Sequence, residues 1–380
     1  MSDSIQGAGV KPARRRFLGA AAAGAAGAAL TAPMIAVAQS PVVLKMQGSW
    51  GAKDIFNEMA EDYVKRVNEM AGGRLRIEYL TAGAVVKAFE VTDAVSKGVL
   101  DAGHQVAVYW YGKSKVASLF GSGPVTGANA EQTLGWMMRG GGLDFYEELQ
   151  KQLGLNLKGF FAFPMPTQPL GWFKKAPPRT EAELKGYKYR TVGLAADLMQ
   201  ELGMKVTQLP GGEIVPAMER GVIDAFEFNN PTSDRRFGAQ DVAKFYSMGS
   251  YHQAMEFFEI IFNRDKYNAL SADLKAVLQY AAEAVSSANT WTAQDNYSRD
   301  LQQLIVKDGV KVSRTPKAVF EAQIKAWDKV VAKLESEDPF FKKVLASQKD
   351  WARRVAYYSF FNDADYKTAY EHVFKTKLPA

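Results

Sequence analysis

The chain has no cysteine and only three histidines in 380 residues. No disulfide can staple it, so its stability must come from a buried core. The same scarcity argues against zinc or copper, so a bound cation is expected to be one held by oxygen. His104, His252 and His372 accompany no serine motif and no His-x-Glu-x-x-His spacing. An exported hydrolase, which needs a nucleophile with an oriented base, is therefore the weaker alternative to a non-catalytic binding protein. The Gly140-Gly141-Gly142 run lacks the lysine and Ser/Thr of a phosphate loop, which argues against nucleotide binding. Beyond the amino-terminal region no run of ~18 apolar residues exists, so nothing there reads as a membrane span.

What is present begins with an export signal. Arg14-Arg15-Arg16-Phe17-Leu18 fits the twin-arginine pattern, an Ala/Gly-rich apolar run follows, and Ala36-Val37-Ala38 offers a small-x-small cleavage site. Residues 1–38 are expected to be a twin-arginine signal peptide, with a periplasmic mature chain starting near Gln39. The whole chain carries 47 Lys+Arg and 41 Asp+Glu; losing Lys11, Arg14, Arg15, Arg16 and Asp3 leaves 43 and 40. A net +3 with scattered basic residues gives no footprint for nucleic acid.

Residues 42–46 read as a buried strand whose carboxyl end opens into a loop bearing Trp50, and ligands of open α/β sheets sit outside such ends. A helix is expected over 54–68, where Ile55, Met59, Tyr63 and Val67 recur at a four-residue step. An internal echo joins residues 93–105 to 216–228: helix, glycine stop, short strand, polar strand end. It places His104/Gln105 and Glu227/Phe228 comparably. Tyr109 and Trp110 follow the first echo as candidate pocket lining, with lobe packing as the other reading. Prolines 166 and 169 bracket Thr167-Gln168 and fix the backbone there, either to present the Gln168 carbonyl or to make a tight crossover.

Residues 187–231 form the centre of the chain. Two short strands each end in a group able to hold an ion. Arg190 could clamp a carboxylate with its planar fork, or serve as a surface salt-bridge partner. Glu227 stands in an apolar strand run over 223–228, a costly place unless the carboxylate is paired or bound to sodium or calcium. Residues 245–263 read as one long apolar segment and second crossover, carrying Glu256. A helix over 271–307, capped by Ser271 and stopped by Gly309, would span about 55 Å and brace both lobes or a partner subunit.

These stretches resemble the solute-binding proteins of tripartite ATP-independent periplasmic (TRAP) transporters of the DctP type. The resemblance rests on Thr167-Gln168, Gly171-Trp172-Phe173, Tyr189-Arg190, Leu209-Pro210, the run 221–228 and the long helix, and it covers essentially the whole mature chain. It implies a bilobal α/β periplasmic-binding-protein-like fold with a central cleft, crossover strands and the long bracing helix. Lobe I would be 39–160 plus 257–380, and lobe II 161–256.

The subfamily most similar to this chain binds 2-oxo acids such as pyruvate with a cation, and some members dimerise through a carboxy-terminal helix. By that resemblance Arg190 holds the ligand carboxylate. Gln168, Glu227 and the Phe228 carbonyl hold sodium or calcium, with Glu256 a further candidate metal residue, and Glu256, Tyr109 and Trp110 line the pocket beside Trp50, the strand-end candidate. The partners implied are a small carboxylate, TRAP membrane subunits and a second copy of the chain. Phe228 stands where the family has tryptophan, and Asn229-Asn230 follows. An indole donor is lost and amides, Asn230 among them, are gained at the ligand. A small aromatic carboxylate (benzoate, mandelate or phenylglyoxylate) is accordingly the alternative to a 2-oxo or 2-hydroxy acid.

Overall fold

A computed structural model describes residues 40–378 apart from Val125. The signal-peptide reading of 1–38 lies outside the described residues. Twelve strands follow in chain order: β1 Val42–Gly48, β2 Leu75–Leu80, β3 Ala102–Gln105, β4 Ser122–Gly123, β5 Leu157–Met165 and β6 Gly171–Phe173, then β7 Lys188–Arg190, β8 Lys205–Thr207, β9 Ala225–Phe226, β10 Phe245–Met248, β11 Met255–Asn263 and β12 Lys311–Arg314. They form two sheets. The first has the order β2-β1-β3-β11-β4, with β5 also on β11; the second runs β12-β10-β6-β9-β7-β8. Helices pack on both, giving the mixed α/β architecture the sequence implied.

Parallel pairing places the working ends together. β1 lies parallel to β2 and β3, and β7 parallel to β8 and β9. The echo is structural: Gly98 and Gly221 take φ of +76° and +71° after helices Val91–Ser96 and Ile214–Glu219. In both turns the next residue's N–H returns to the helix, Val99 to the Ala94 carbonyl and Val222 to that of Ala217. Only glycine enters this left-handed region without strain.

The helix Ile55–Met70 buries the expected Ile55, Met59, Tyr63 and Val67, and Asp54 caps it by accepting from the Phe56 N–H. The long helix is Ala272–Val306. It packs on Ile55–Met70 and β5 and, farther along, on the helix Pro231–Arg236, so it does brace elements of both sheets. Ser271 stands at its N-cap, as expected, but makes no side-chain capping bond; its hydroxyl donates to Asp273 instead. Trp291 is exposed, because the buried stripe passes through Asn289 and Ala293 on either side of it.

The chain passes between the sheets from β5 to β6 and from β10 to β11, so the apolar run 245–263 is the crossover expected of it, made of two strands in different sheets. Two main-chain bonds knit the loops at these passages: Gln168 N–H donates to the Gln253 carbonyl and Ser250 N–H to that of Gln168, each at 3.1 Å. A third crossing brings β12 beside β10, so part of 257–380, read from sequence as wholly lobe I, joins the second sheet. Phe163, near the irregular register of β5 on β11, takes φ of +56°, a strained choice for a bulky side chain. No helix among the described residues is long and apolar enough to cross a membrane.

Candidate functional site

Arg190 ends β7 and is buried beside Glu227, the residue that follows β9. One Nη1 hydrogen goes to Glu227 Oε1 at 2.8 Å, the other to the Glu227 carbonyl at 2.9 Å. Nε and Nη2 both donate to the Leu209 carbonyl, at 2.9 and 2.7 Å. Four of the five guanidinium N–H groups are thus spent on the protein, leaving one on Nη2. The sequence suggested a free fork offering two parallel bonds to a ligand; the fork instead fixes the strand-end loops. Phe228 supports it from the side, its ring 5.7 Å from the guanidinium carbon.

Burial pushes the Glu227 carboxyl up to about 7, against the pull of Arg190. Glu256 goes higher, to about 8, first through burial and then through the charge of Glu227. The two share this space with one arginine, so like charge and lost solvent act together. Asn229 donates to Glu256. Gln253 closes the group. With its amide nitrogen inward it donates to Glu227 Oε2 and Oε1 at 2.9 and 3.1 Å and to Gln168 Oε1 at 3.1 Å, while its oxygen accepts from Ser122 Oγ at 2.9 Å.

Three carboxylate and amide oxygens therefore face a single point. That donor set suits a hard cation such as sodium or calcium and no softer metal. Among the described residues no three His, Cys, Asp or Glu gather as a metal site, so carboxylate alone would not make one.

Beside these groups lies an inner cavity of about 10 Å³, at the lower limit of what a single water needs. Arg190, Gln253 and Glu256 supply its polar wall and Trp50, Phe56, Tyr109, Phe228 and Phe258 its rings. Trp50 and Phe228 also line a larger cavity of about 870 Å³, bounded by Lys53, Lys87 and Arg236 among others. Two contacts bridge that outer space: Ser233 Oγ donates to Asp54 at 2.7 Å, and Arg236 pairs with Glu58 at 2.6 Å.

The sequence profile of bacterial extracellular solute-binding protein family 7, DctP, matches residues 46–338. The chain belongs to the DctP family. A monocarboxylate 2-oxoacid-binding periplasmic protein of a Nostoc species is 30% identical over 308 residues, covering 81% of this chain and 83% of that one. Among solved structures, a TRAP transporter solute-binding protein from Bordetella bronchiseptica superposes with a TM-score of 0.81 at 27% identity, covering 88% of this chain and 97% of that one. That protein is a mixed-occupancy dimer with calcium and picolinate in one site. A TRAP periplasmic solute-binding protein from Pseudoalteromonas atlantica, with sodium and pyruvate, gives 0.80 at 28%, covering 87% and 99%.

In this DctP-family chain the structure brings together Arg190, Gln168, Glu227, Phe228, Glu256, Tyr109 and Trp50. It does not bring Trp110 or Asn230. Trp110 is turned into the core, its indole N–H donating to Glu259 at 3.0 Å. Asn230 caps the helix Pro231–Arg236, accepting from the Thr232 and Ser233 N–H groups at 3.0 and 2.9 Å. A residue in Asn-Asn-Pro is well placed for a cap, and that signal was in the sequence. Gln253, Phe56 and Phe258 were missed. Phe258 and Phe56 read as ordinary strand and helix core, and Gln253 sits in a loop with no motif.

Proposed function

We propose that this chain captures a small monocarboxylate, a 2-oxo or 2-hydroxy acid of pyruvate type, together with sodium or calcium, and delivers it to TRAP membrane subunits. The observation that carries this reading is the buried Arg190–Glu227 pair at 2.8 Å, whose arginine lines a ring-walled cavity. The free Nη2 hydrogen of Arg190 would meet one carboxylate oxygen. A bound cation would supply the remaining positive charge, bridging the ligand carboxylate to Glu227, Gln168 and the Phe228 carbonyl. Its work is capture rather than catalysis: no nucleophile and base stand oriented at this wall.

The inner cavity must widen to admit even a three-carbon acid, and Trp50 and Phe228, common to both cavities, are the rings that would part. Five aromatic rings around one polar wall also favour a second reading, a small aromatic carboxylate. A thermal-shift screen of 2-oxo, 2-hydroxy and aromatic acids, with and without sodium or calcium, tests both. Ligands that bind the native state raise the melting temperature by mass action. A response to aromatic acids alone would favour the second reading, and no response to any acid would sink both.

The leader read at 1–38 supports twin-arginine export to the periplasm. A homodimer through the carboxy-terminal helices accounts for an aromatic surface there. Tyr357, Tyr358, Phe360 and Phe361 are exposed near the end of the helix Pro339–Asn362, as are Tyr366, Tyr370 and Phe374 in the helix Tyr366–Phe374, which has no buried residue. Sedimentation of the chain with and without residues 357–380 distinguishes a dimer from a monomer.

A further inference from the structure

Gln253 presents two ends to two kinds of neighbour. One terminal atom of its amide lies 2.9–3.1 Å from both Glu227 oxygens and from Gln168 Oε1; the other lies 2.9 Å from Ser122 Oγ. An amide offers donors at its nitrogen and an acceptor at its oxygen. With nitrogen inward, its hydrogens neutralise three acceptors and the site is at rest without an ion. With oxygen inward, four oxygens converge, eased only by a long bond from the Thr191 hydroxyl to the Gln253 oxygen at 3.4 Å and by Arg190 on Glu227 Oε1 at 2.8 Å, which leaves Gln168 Oε1 and Glu227 Oε2 facing it without a donor between them. Ser122 permits either state, because a hydroxyl both donates and accepts: it gives a hydrogen to the Gln253 oxygen in the first and takes one from its nitrogen in the second. Gln253 is buried, 1% exposed, so water cannot satisfy a wrongly turned amide.

We propose that Gln253 is itself a cation ligand of this site, one whose amide turns over when the ion arrives. Resting on the cation-assisted receptor reading above, it adds a ligand that the sequence did not indicate and a rest state that keeps the site from collapsing. In the ion-free protein the amide nitrogen substitutes for the cation. On loading, the amide rotates by half a turn, its oxygen joins Glu227 and Gln168, and its nitrogen passes to Ser122. The main chain of Gln253, bonded to that of Gln168, holds the pivot still. A glutamine at this position costs the empty state no like-charge repulsion, which a third carboxylate beside Glu227 and Glu256 would impose.

The test uses the full mature chain, with calcium chloride and sodium chloride as the probes and no organic acid. Calorimetry and melting curves read ion affinity for the wild type, Gln253→Leu and Gln253→Glu. Gln253→Leu should weaken calcium binding at least tenfold. Gln253→Glu should melt lower without ions and raise the calcium-to-sodium affinity ratio at least tenfold. In wild type labelled at glutamine side chains, the Gln253 amide resonance, identified by its loss in Gln253→Glu, should shift on ion addition. That measurement stands even if a variant misfolds. Equal ion affinity in wild type and Gln253→Leu, or an unmoved amide resonance at saturating ion, overturns the ligand role while leaving the receptor reading intact. A wild type that binds neither ion nor acid overturns both.

Discussion

Arg190 and Glu227 do two jobs with one set of bonds. Removing one member of a buried, hydrogen-bonded charge pair costs about 3–5 kcal/mol, because the other is left uncompensated. Arg190→Met should therefore abolish acid binding and also lower stability by about 3 kcal/mol, since the Leu209 carbonyl loses its donors as well. Adding Glu227→Gln should recover much of the stability and none of the binding. Urea melts and calorimetry read the two properties separately, and strictly additive stability losses would show that the pair is not coupled. Glu259, away from the cleft, gives a pH prediction. Burial raises its carboxyl to about 7 although Tyr146, Trp110 and Gln105 all donate to it. Between the unperturbed value of 4.5 and about 7 the folded state holds a proton that the unfolded state has lost. Its contribution to stability is then full below 4.5 and falls as pH rises through 7. Glu259→Gln should flatten the stability profile between pH 5 and 7 by up to about 1.4 kcal/mol per pH unit, measured by denaturant melts. An unchanged slope would mean that the carboxylate is charged throughout.

At the level of elements, the passage from β5 into β6 ends in a close approach of main chain to main chain. Gly171 takes φ of +122°, and a Cβ there would lie 2.0 Å from the Phe226 carbonyl oxygen. No side chain can yield to relieve that contact. Gly171→Ala should cost about 3 kcal/mol or more by urea melts, and it should weaken acid binding by displacing Glu227; a neutral Gly171→Ala would mean that β9 moves freely. Such passages also show why sequence reading succeeded only in part. Four-residue steps marked the helix Ile55–Met70, and the glycine stops marked both echo turns, because local sterics decide both. The split of 245–263 into β10 and β11 was invisible, since apolar residues look alike whichever sheet they enter. Glu227 was legible as a charge out of place in an apolar run, and Arg190 only as a strand-end arginine that a surface ion pair would explain equally well. Gln253 was not, because a neutral amide in a loop departs from no local rule, and its meaning comes only from the acceptors that distant segments bring to it.

Across the whole molecule, the outer cavity is spanned by contacts from elements of the two sheets. Arg236 and Glu58 are partly exposed, so their pair adds only about 0.2–1 kcal/mol to stability. Its effect should appear in kinetics, because it joins the helix after β9 to the helix after β1 beside the cavity that Arg236 lines. Arg236→Ala should leave the melting temperature nearly unchanged and speed ligand release several-fold, followed by stopped-flow fluorescence of Trp50 and its neighbours. An unchanged release rate would place the opening motion elsewhere.

The joint between the sheets is tied by amide and carbonyl groups of Gln168 and Gln253, while their side chains meet beside the Glu227 carboxylate. Main-chain bonds are indifferent to side-chain identity. New tastes in cargo can therefore be written at these two positions without re-machining the joint, and a library confined to codons 168 and 253 would sample them on an unaltered frame.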